Sequence, residues 1–280
     1  MKFFSQLIIP PPSHPFSLQN RIVLLGSCFA DSIGEKMAAA GFDVLINPFG
    51  TLYNPASLLQ AVRRLDGEGL FGPADCVEMG AGAGRICSWE HHTSFARPTK
   101  EEFLANANAK LLESREFWRS ANRLVLTLGT SFAWHTRGRV VANCLKRPAA
   151  EFSRWLLPVE ESADCLRMIA DAHPEKEILL TVSPIRHLGD GAHANAVSKA
   201  SLILACERIP RADYFPAYEI LLDELRDYRF YADDLVHPSP AAFQYIWERF
   251  LDSFVSPSDL PAIAANEKAA RHSAHRSNMV

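Results

Sequence analysis

Short runs of branched apolar residues alternate with helical segments along this chain, and that alternation constrains the fold more than any other feature. The candidate strands are residues 21–25, 43–46, 124–128, 177–182 and 214–216. Continuous apolar runs of this kind are typical of strands that are buried on both faces. Parallel strands need long crossover connections, which helices usually supply. The sequence therefore predicts a three-layer, doubly wound α/β fold with five central, mostly parallel strands.

The domain organisation follows from the same pattern. A chain of 280 residues usually forms one large α/β domain or two small ones. We expect one domain over residues 1–255, because no linker composition interrupts it. Residues 66–99 are glycine-rich and are expected to form an irregular insertion. Residues 256–280 are polar and alanine-rich, which predicts a flexible tail.

Composition and charge narrow the range of partners. The net charge of −3 and the absence of a Lys/Arg block argue against nucleic-acid binding. No run of roughly 18 apolar residues could span a membrane, and prolines interrupt the N-terminal segment before a signal sequence could form. The six scattered cysteines lack zinc-site spacing and suit reduced thiols. We expect a soluble, cytoplasmic protein without a metal, organic cofactor, nucleic-acid or membrane partner; its oligomeric state stays open.

Two short segments carry the chemistry. Ser27 directly follows the first strand, where the N-terminus of a helix favours a developing negative charge; a simple helix N-cap is the alternative. Asp234 precedes His237 by three residues, a spacing that allows the carboxylate to orient the imidazole and stabilise its charged form. Asp233 could take the same part, and such a pair could also merely tie down a surface turn.

Several ordered blocks of sequence occur along the chain: Gly26–Ala30, which reads GSCFA, and residues 47–55, 126–130, 141–144, 182–187, 195–199 and 214–237. Together these blocks resemble the GSCFA family of the SGNH (GDSL-like) hydrolase superfamily. The resemblance implies a flavodoxin-like SGNH fold and a serine-dependent acyl-ester hydrolase or acyltransferase without a cofactor. It assigns Ser27 as the nucleophile, His237 as the base and Asp234 as the residue that orients the base.

The resemblance also implies an oxyanion hole, and here the chain departs from the SGNH pattern. Gly50 takes the position of the glycine that donates its main-chain N–H. The third block reads Gly-Thr-Ser at residues 129–131, where SGNH enzymes usually have Gly-x-Asn. Thr130, Ser131 or the more distant Asn143 would have to replace the asparagine donor. Loss of one such donor typically costs about 10²–10³ in rate.

Three further side chains have open alternatives. Cys28 could be a thiol nucleophile paired with His237, although the family layout favours Ser27 and leaves Cys28 as a packing residue. His187 follows the fourth strand and is placed either to contact substrate or to stabilise a turn. The pair His91–His92 could line a pocket or belong to a solvated loop.

Two classes of function follow. The first is acyl-ester chemistry on a small molecule or an O-acylated carbohydrate, with water or a sugar hydroxyl as acceptor; the carbohydrate rests on analogy with the fold alone. The second is a non-catalytic binding or scaffold protein, which the missing asparagine favours. A dinucleotide enzyme is disfavoured because Gly26–Cys28 lacks the Gly-x-Gly-x-x-Gly pattern.

Overall fold

Five parallel strands form the central sheet of the computed structural model, which describes residues 5–80 and 82–277. In chain order the strands are β1 (Arg21–Gly26), β2 (Asp43–Ile46), β3 (Val77–Glu78), β4 (Ile86–Cys87), β5 (Arg123–Leu128), β6 (Phe132–Thr136), β7 (Arg139–Val141), β8 (Ser153–Leu156), β9 (Glu177–Val182) and β10 (Asp213–Tyr214). The order in the central sheet is β10-β9-β5-β1-β2, and every neighbouring pair is parallel. The predicted α/β fold with five central strands is confirmed.

Helices cover both faces of this sheet. They are α1 (Cys28–Ala40), α2 (Pro55–Asp66), α3 (Lys100–Ser120), α4 (Val159–Ala172), α5 (Gly191–Cys206), α6 (Ala217–Glu219), α7 (Pro240–Phe254) and α8 (Leu260–Ser277). Helices α2 to α5 pack on one face of the sheet, and α1, α7 and α8 pack on the other. No helix in the described part of the chain is long and apolar enough to cross a bilayer.

Successive side chains of each central strand enter different cores. Val23 and Leu25 of β1 belong to the core beneath α2 to α5, whereas Ile22 and Leu24 belong to the core beneath α1 and α7. This follows from the strand period of two residues, which sends neighbouring side chains to opposite faces. Both sets must be apolar, and the apolar run is therefore continuous in the sequence.

The winding of the sheet reverses between β1 and β5. The chain moves from β1 to β2 on one side and then returns to add β5, β9 and β10 on the other. The carboxyl ends of β1 and β5 meet closely, since a Cβ on Gly26 would lie 2.2 Å from the main-chain oxygen of Thr127. Ligands of doubly wound proteins bind at such a reversal, outside the carboxyl ends of the strands.

A small antiparallel sheet stands beside this edge. Its order is β7-β6-β8, and it occupies residues 132–156, for which the sequence predicted only a connection. A two-stranded hairpin of β3 and β4 also lies within the insertion that was expected to be irregular. These strands are short and carry Arg, His and Trp, so they lack the apolar runs that identify the central strands.

The segment after residue 255 is not the flexible tail that the sequence predicted. Helix α8 buries Ile263, and Asn266 Nδ2 donates to the main-chain oxygen of Ala40 at 2.9 Å. Glu267 accepts from the indole N–H of Trp247 at 2.6 Å. Few apolar residues make these contacts, and the helix therefore has a weak sequence signal. Residues 278–280 lie outside the described part of the chain.

Candidate active site

A cavity of about 380 Å³ opens at the carboxyl ends of the central strands, next to the reversal. Its walls come from the first turn of α1, the loop after β2, strands β6 and β8, the loop after β9 and the turn before α7. Cavities of this volume are typical of small-molecule sites. Within residues 5–80 and 82–277, no three His, Cys, Asp or Glu side chains are grouped as metal ligands would be.

The turn before α7 orients His237 through Asp234. One carboxylate oxygen, Oδ2, lies 2.6 Å from His237 Nδ1, and the other accepts the main-chain N–H groups of Val236 and His237 at 2.8 and 2.9 Å. The main-chain N–H of His237, its ring N–H and the N–H of Val236 lower the pKa of Asp234 to about 2. The ionised carboxylate holds a proton on Nδ1 and leaves Nε2 as an acceptor. Asp234, rather than Asp233, therefore faces the imidazole.

The free ring nitrogen of His237 faces Cys28. The distance from Nε2 to Cys28 Sγ is 3.7 Å. Ser27 is fully buried, and its Oγ lies 3.3 Å from Thr127 Oγ1 and accepts the N–H of Phe29 at 3.3 Å. The expectation that Ser27 meets His237 is corrected. Ser27 caps α1 with its side chain turned toward β5, whereas Cys28 is the first helical residue and lines the cavity.

Opposing effects act on the pKa of the Cys28 thiol. Burial raises the pKa of the thiol, while its own main-chain N–H, at the N-terminus of α1, lowers it. Asp31 adds to the rise in this pKa, and Lys199 opposes it. The resting thiol is therefore protonated at neutral pH, and a nucleophilic thiolate requires a nearby base. All six cysteines, including Cys28, are free.

A completely buried lysine lies beneath the cavity. Lys199 Nζ donates to the main-chain oxygens of Gly129, at 2.6 Å, and Ser183, at 2.7 Å. These two residues follow β5 and β9, so the lysine joins the ends of two neighbouring strands. Burial lowers the pKa of Lys199 to about 7. Its amine therefore titrates near neutral pH, close to the Cys28 thiol.

His187 lines the cavity, as one of its two sequence interpretations proposed. Its main-chain N–H donates to Asn195 Oδ1 at 2.9 Å, and its ring lies edge-to-face on Tyr53. Burial, followed by the charge of Lys199, lowers the pKa of His187 to about 4, so the ring is neutral at pH 7. Its Nε2 is buried without a hydrogen-bond partner among the described residues.

Gly50 has a conformational role that differs from the expected one. Its N–H donates to the main-chain oxygen of Asn47 at 2.7 Å, inside a turn, and is not available to a substrate oxyanion. Its φ of 76° is a conformation that residues with a side chain rarely adopt, and an added Cβ would lie 2.4 Å from His92 Cβ. Both facts explain why this residue is a glycine. The expected oxyanion role is therefore not supported.

The expected replacements for the asparagine donor are also engaged elsewhere. Thr130 Oγ1 lies 2.9 Å from Ser198 Oγ, and Ser131 Oγ lies 3.1 Å from the same oxygen. Asn143 Nδ2 donates to His91 O at 2.5 Å. Thr130 and Asn143 touch the cavity, but their side chains are hydrogen-bonded to Ser198 of α5 and to the main chain of His91.

Asn54 is a cavity residue that the sequence interpretation missed as a donor. Its Oδ1 accepts the N–H of Ser57 at 2.9 Å and caps α2, which leaves its amide NH₂ as the group available to a ligand. The main-chain N–H of Cys28 is the second available donor, because the first residue of a helix has no acceptor within that helix. The sequence signal for this residue was its position directly before a proline at the start of a predicted helix.

The other cavity residues that were not predicted from the sequence come from the small sheet. Phe132 and Trp134 of β6 and Arg154 of β8 form one wall of the cavity. Arg154 is held by Asp190 through a bidentate ion pair, with Nη2 to Oδ2 at 2.7 Å. Since these strands were not predicted, their side chains could not be placed near the site.

The two neighbouring histidines lie outside the cavity lining. His91 is buried between Phe71 and Phe95, with ring centroids 4.7 and 4.5 Å away, and burial lowers its pKa to about 3. His92 caps a short 3₁₀ turn by accepting the N–H of Ser94. They stabilise the insertion, so neither the pocket nor the solvated-loop interpretation describes His91.

The fold is a doubly wound α/β fold, with a cavity at the winding reversal and an Asp–His pair in the turn before α7. The chain belongs to the GSCFA family, whose sequence profile matches residues 21–250.

The solved structures that are similar to the chain include the following two. A psychrotrophic esterase, EstA, from Pseudoalteromonas sp. is 15% identical over 84% of this chain and 96% of its own, with a TM-score of 0.39. LAE5, an alpha/beta hydrolase enzyme from the metagenome of Lake Arreo, Spain, is 13% identical over 85% and 96%, with a TM-score of 0.39. No curated protein matches the chain in sequence.

The buried lysine generates a prediction about stability and pH. The pKa of Lys199 is lowered from 10.5 to about 7, so between these values the unfolded chain binds more protons than the folded one. The contribution of this lysine to the free energy of unfolding therefore rises with pH across that window. We expect Lys199→Met to destabilise the protein more at pH 9 than at pH 6, measured by urea unfolding.

Lys176→Met is the matched control, because Lys176 Nζ is also buried and donates to two main-chain oxygens, those of Trp118 and Ala121. It reports the effect of losing a buried amine away from the cavity. Equal destabilisation by Lys199→Met at both pH values would show that Lys199 does not titrate in this range.

Proposed function

We propose that the protein is a thiol-dependent acyl-ester hydrolase or acyltransferase in which Cys28 is the nucleophile, His237 the general base and Asp234 the residue that orients the base. One observation carries this proposal: the continuous path from Asp234 Oδ2 to His237 Nδ1, at 2.6 Å, and from His237 Nε2 to Cys28 Sγ, at 3.7 Å. A nucleophile, a base and an orienting carboxylate in this arrangement are the general requirement for acyl transfer.

The first half of the reaction forms a thioester. The Cys28 thiol gives its proton to His237 Nε2 while the sulfur forms a bond to the ester carbonyl carbon. The carbonyl oxygen becomes an oxyanion, and the positive charge on the imidazole is compensated by Asp234. The tetrahedral intermediate then collapses, the carbon–oxygen bond of the ester breaks, and the leaving alkoxide takes the proton from His237.

The second half releases the acyl group. His237 takes a proton from water or from an acceptor hydroxyl, and that oxygen attacks the thioester carbonyl. The carbon–sulfur bond breaks, and Cys28 recovers its proton from His237. Water gives an acid and makes the protein an esterase, whereas a sugar hydroxyl makes it an O-acyltransferase. Both reactions use the same residues, since only the acceptor differs.

Two donors stabilise the oxyanion in this proposal. The main-chain N–H of Cys28 stands at the N-terminus of α1, where the helix dipole also favours negative charge. The side-chain amide of Asn54 replaces the asparagine that the third block lacks, because its NH₂ is the free end of a side chain fixed by Ser57. Thr130, Ser131 and Asn143 are not needed in this role.

The cavity supports a ring-shaped substrate such as an O-acylated carbohydrate. Phe132 and Trp134 present aromatic surface on the wall formed by the small sheet. Apolar ring faces with a few fixed polar groups are the usual composition of small-molecule sites. The acylated hydroxyl would then point toward Cys28.

Substitution of the two adjacent residues tests the assignment of the nucleophile. We expect Cys28→Ala to lower turnover of p-nitrophenyl acetate by about 10³-fold or more, because the covalent step is lost. We expect Ser27→Ala to keep turnover and to lose about 1 kcal/mol of folding stability, because it removes an N-cap. Steady-state kinetics and urea unfolding measure the two effects. Full turnover by Cys28→Ala with none by Ser27→Ala would reverse the assignment.

The orienting carboxylate has its own matched pair of variants. Asp234→Asn should lower kcat by about 10²–10⁴, because the amide no longer fixes the tautomer or balances the charge of His237. Asp233→Asn is the control, since it makes the same chemical change at the exposed neighbouring position. Similar losses for the two variants would show that the aspartates act only through the overall charge of the turn.

A further inference from the structure

The charged side chains that line the cavity are arginines, and the ionised Asp234 lies behind His237. The net charge is −3, yet the cavity lining contains two arginines and no aspartate or glutamate. A cleft whose walls carry one sign of charge concentrates ligands of the opposite sign. The two arginines, Arg154 and Arg186, therefore have to be considered separately.

Arg154 is neutralised by the protein. Asp190 binds it through both guanidinium ends, and the guanidinium carbon lies 4.5 Å from the ring centroid of Phe132 and 5.1 Å from that of Trp134. These contacts hold the aromatic wall in position. The charge of Arg154 is compensated by its partner, and most of the uncompensated charge falls on the second arginine.

Arg186 has no carboxylate partner within 4 Å among the described residues. Its Nη1 donates to the main-chain oxygen of Leu235 at 2.9 Å, and its guanidinium carbon lies 5.3 Å from the ring centroid of Tyr231 and 5.9 Å from that of Tyr228. The other guanidinium N–H groups are available to a ligand. The planar fork of arginine matches a carboxylate through paired hydrogen bonds.

Arg186 adjoins the turn that carries His237. Its main-chain N–H donates to Val236 O at 3.0 Å, and Val236 precedes His237. Arg186 also lines a second groove of about 200 Å³, together with Leu221, Leu222, Arg226, Asp227, Tyr228 and Tyr231.

We propose that the ester substrate carries a carboxylate and that Arg186 binds it. This inference rests on the proposed thiol-dependent ester chemistry and adds a substrate class to it. The carboxylate belongs either to the acyl group or to the alcohol part, as in an acylated uronic acid; the binding chemistry is the same. The competing explanation is that Arg186 only braces the turn that holds His237, through Leu235 and Val236.

The charge of the substrate separates these explanations. We would measure kcat/KM of the wild type and Arg186→Gln for three esters: phenyl acetate, 3-carboxyphenyl acetate and monophenyl adipate. The first is neutral, the second has the carboxylate on the alcohol part, and the third has it on the acyl group. Comparing variants within each ester cancels differences in intrinsic reactivity.

We expect Arg186→Gln to lower kcat/KM for one of the two carboxylate esters by about 10- to 100-fold more than for phenyl acetate, because a hydrogen bond to a charged group is lost. The affected ester identifies which part carries the carboxylate. Arg186→Lys, which keeps the charge but not the fork, should retain part of the preference. Arg229→Gln is the control, because it removes an exposed charge from the neighbouring connection before α7, outside the cavity lining.

Equal losses for all three esters would overturn this inference and assign Arg186 to bracing the turn, while the proposed function would stand. An equal change in preference in Arg229→Gln would also overturn it, since overall charge would then be the cause. No turnover of any ester, together with no acylation of Cys28, would overturn the proposed function and this inference with it.

Discussion

The proposed chemistry depends on the hydrogen bond between Asp234 and His237 Nδ1, because it fixes the direction in which the other ring nitrogen points. With Nδ1 held at 2.6 Å from the carboxylate, Nε2 lies 3.7 Å from the Cys28 sulfur. Ser27 is one residue away in the chain, but its hydroxyl is turned toward Thr127. The proposal of Cys28 as the nucleophile therefore depends on the orientation of this imidazole and on the direction of the Ser27 side chain.

The sheet brings these distant residues together. Cys28 follows β1, and His237 lies more than two hundred residues later, before α7. They meet because the winding reverses between β1 and β5, which leaves an open crevice at that edge. Lys199 stabilises the floor of the crevice by donating to the main-chain oxygens of Gly129 and Ser183. The site is thus assembled on strand ends and helix termini, and the small sheet adds its wall.

Much of the architecture could be predicted from the sequence. Strands buried on both faces must be continuously apolar, and the central strands were recognised for that reason. The strands at residues 132–156 and helix α8 were not predicted, because polar residues interrupt the short strands and most apolar residues of α8 are alanines. Short segments that bury only part of their surface have no strong periodicity, so their position depends on contacts distant in sequence.

The site was predicted only in part, for a different physical reason. The Asp234–His237 spacing within one turn is local, so sequence could indicate the contact. The choice between Ser27 and Cys28 depends on where the strand ends and the helix begins, since the two conformations direct neighbouring side chains differently. The residue types alone do not locate the boundary between strand and helix to within one residue. The hydrogen bonds of Thr130, Ser131 and Asn143 were likewise unpredictable, because their partners, Ser198 of α5 and the main chain of His91, are distant in sequence.

The most direct test of the thiol nucleophile is to trap the acyl-enzyme. The wild type and Cys28→Ala would be mixed with p-nitrophenyl acetate, quenched in acid and digested, and the acetyl group located by fragmentation mass spectrometry. We predict an acetyl group on Cys28 that neutral hydroxylamine removes, as it removes thioesters, and no acetyl group at this position in the variant. An acetyl group on Ser27 that survives hydroxylamine, or a wild-type protein that turns over ester without acylating Cys28, would contradict the account.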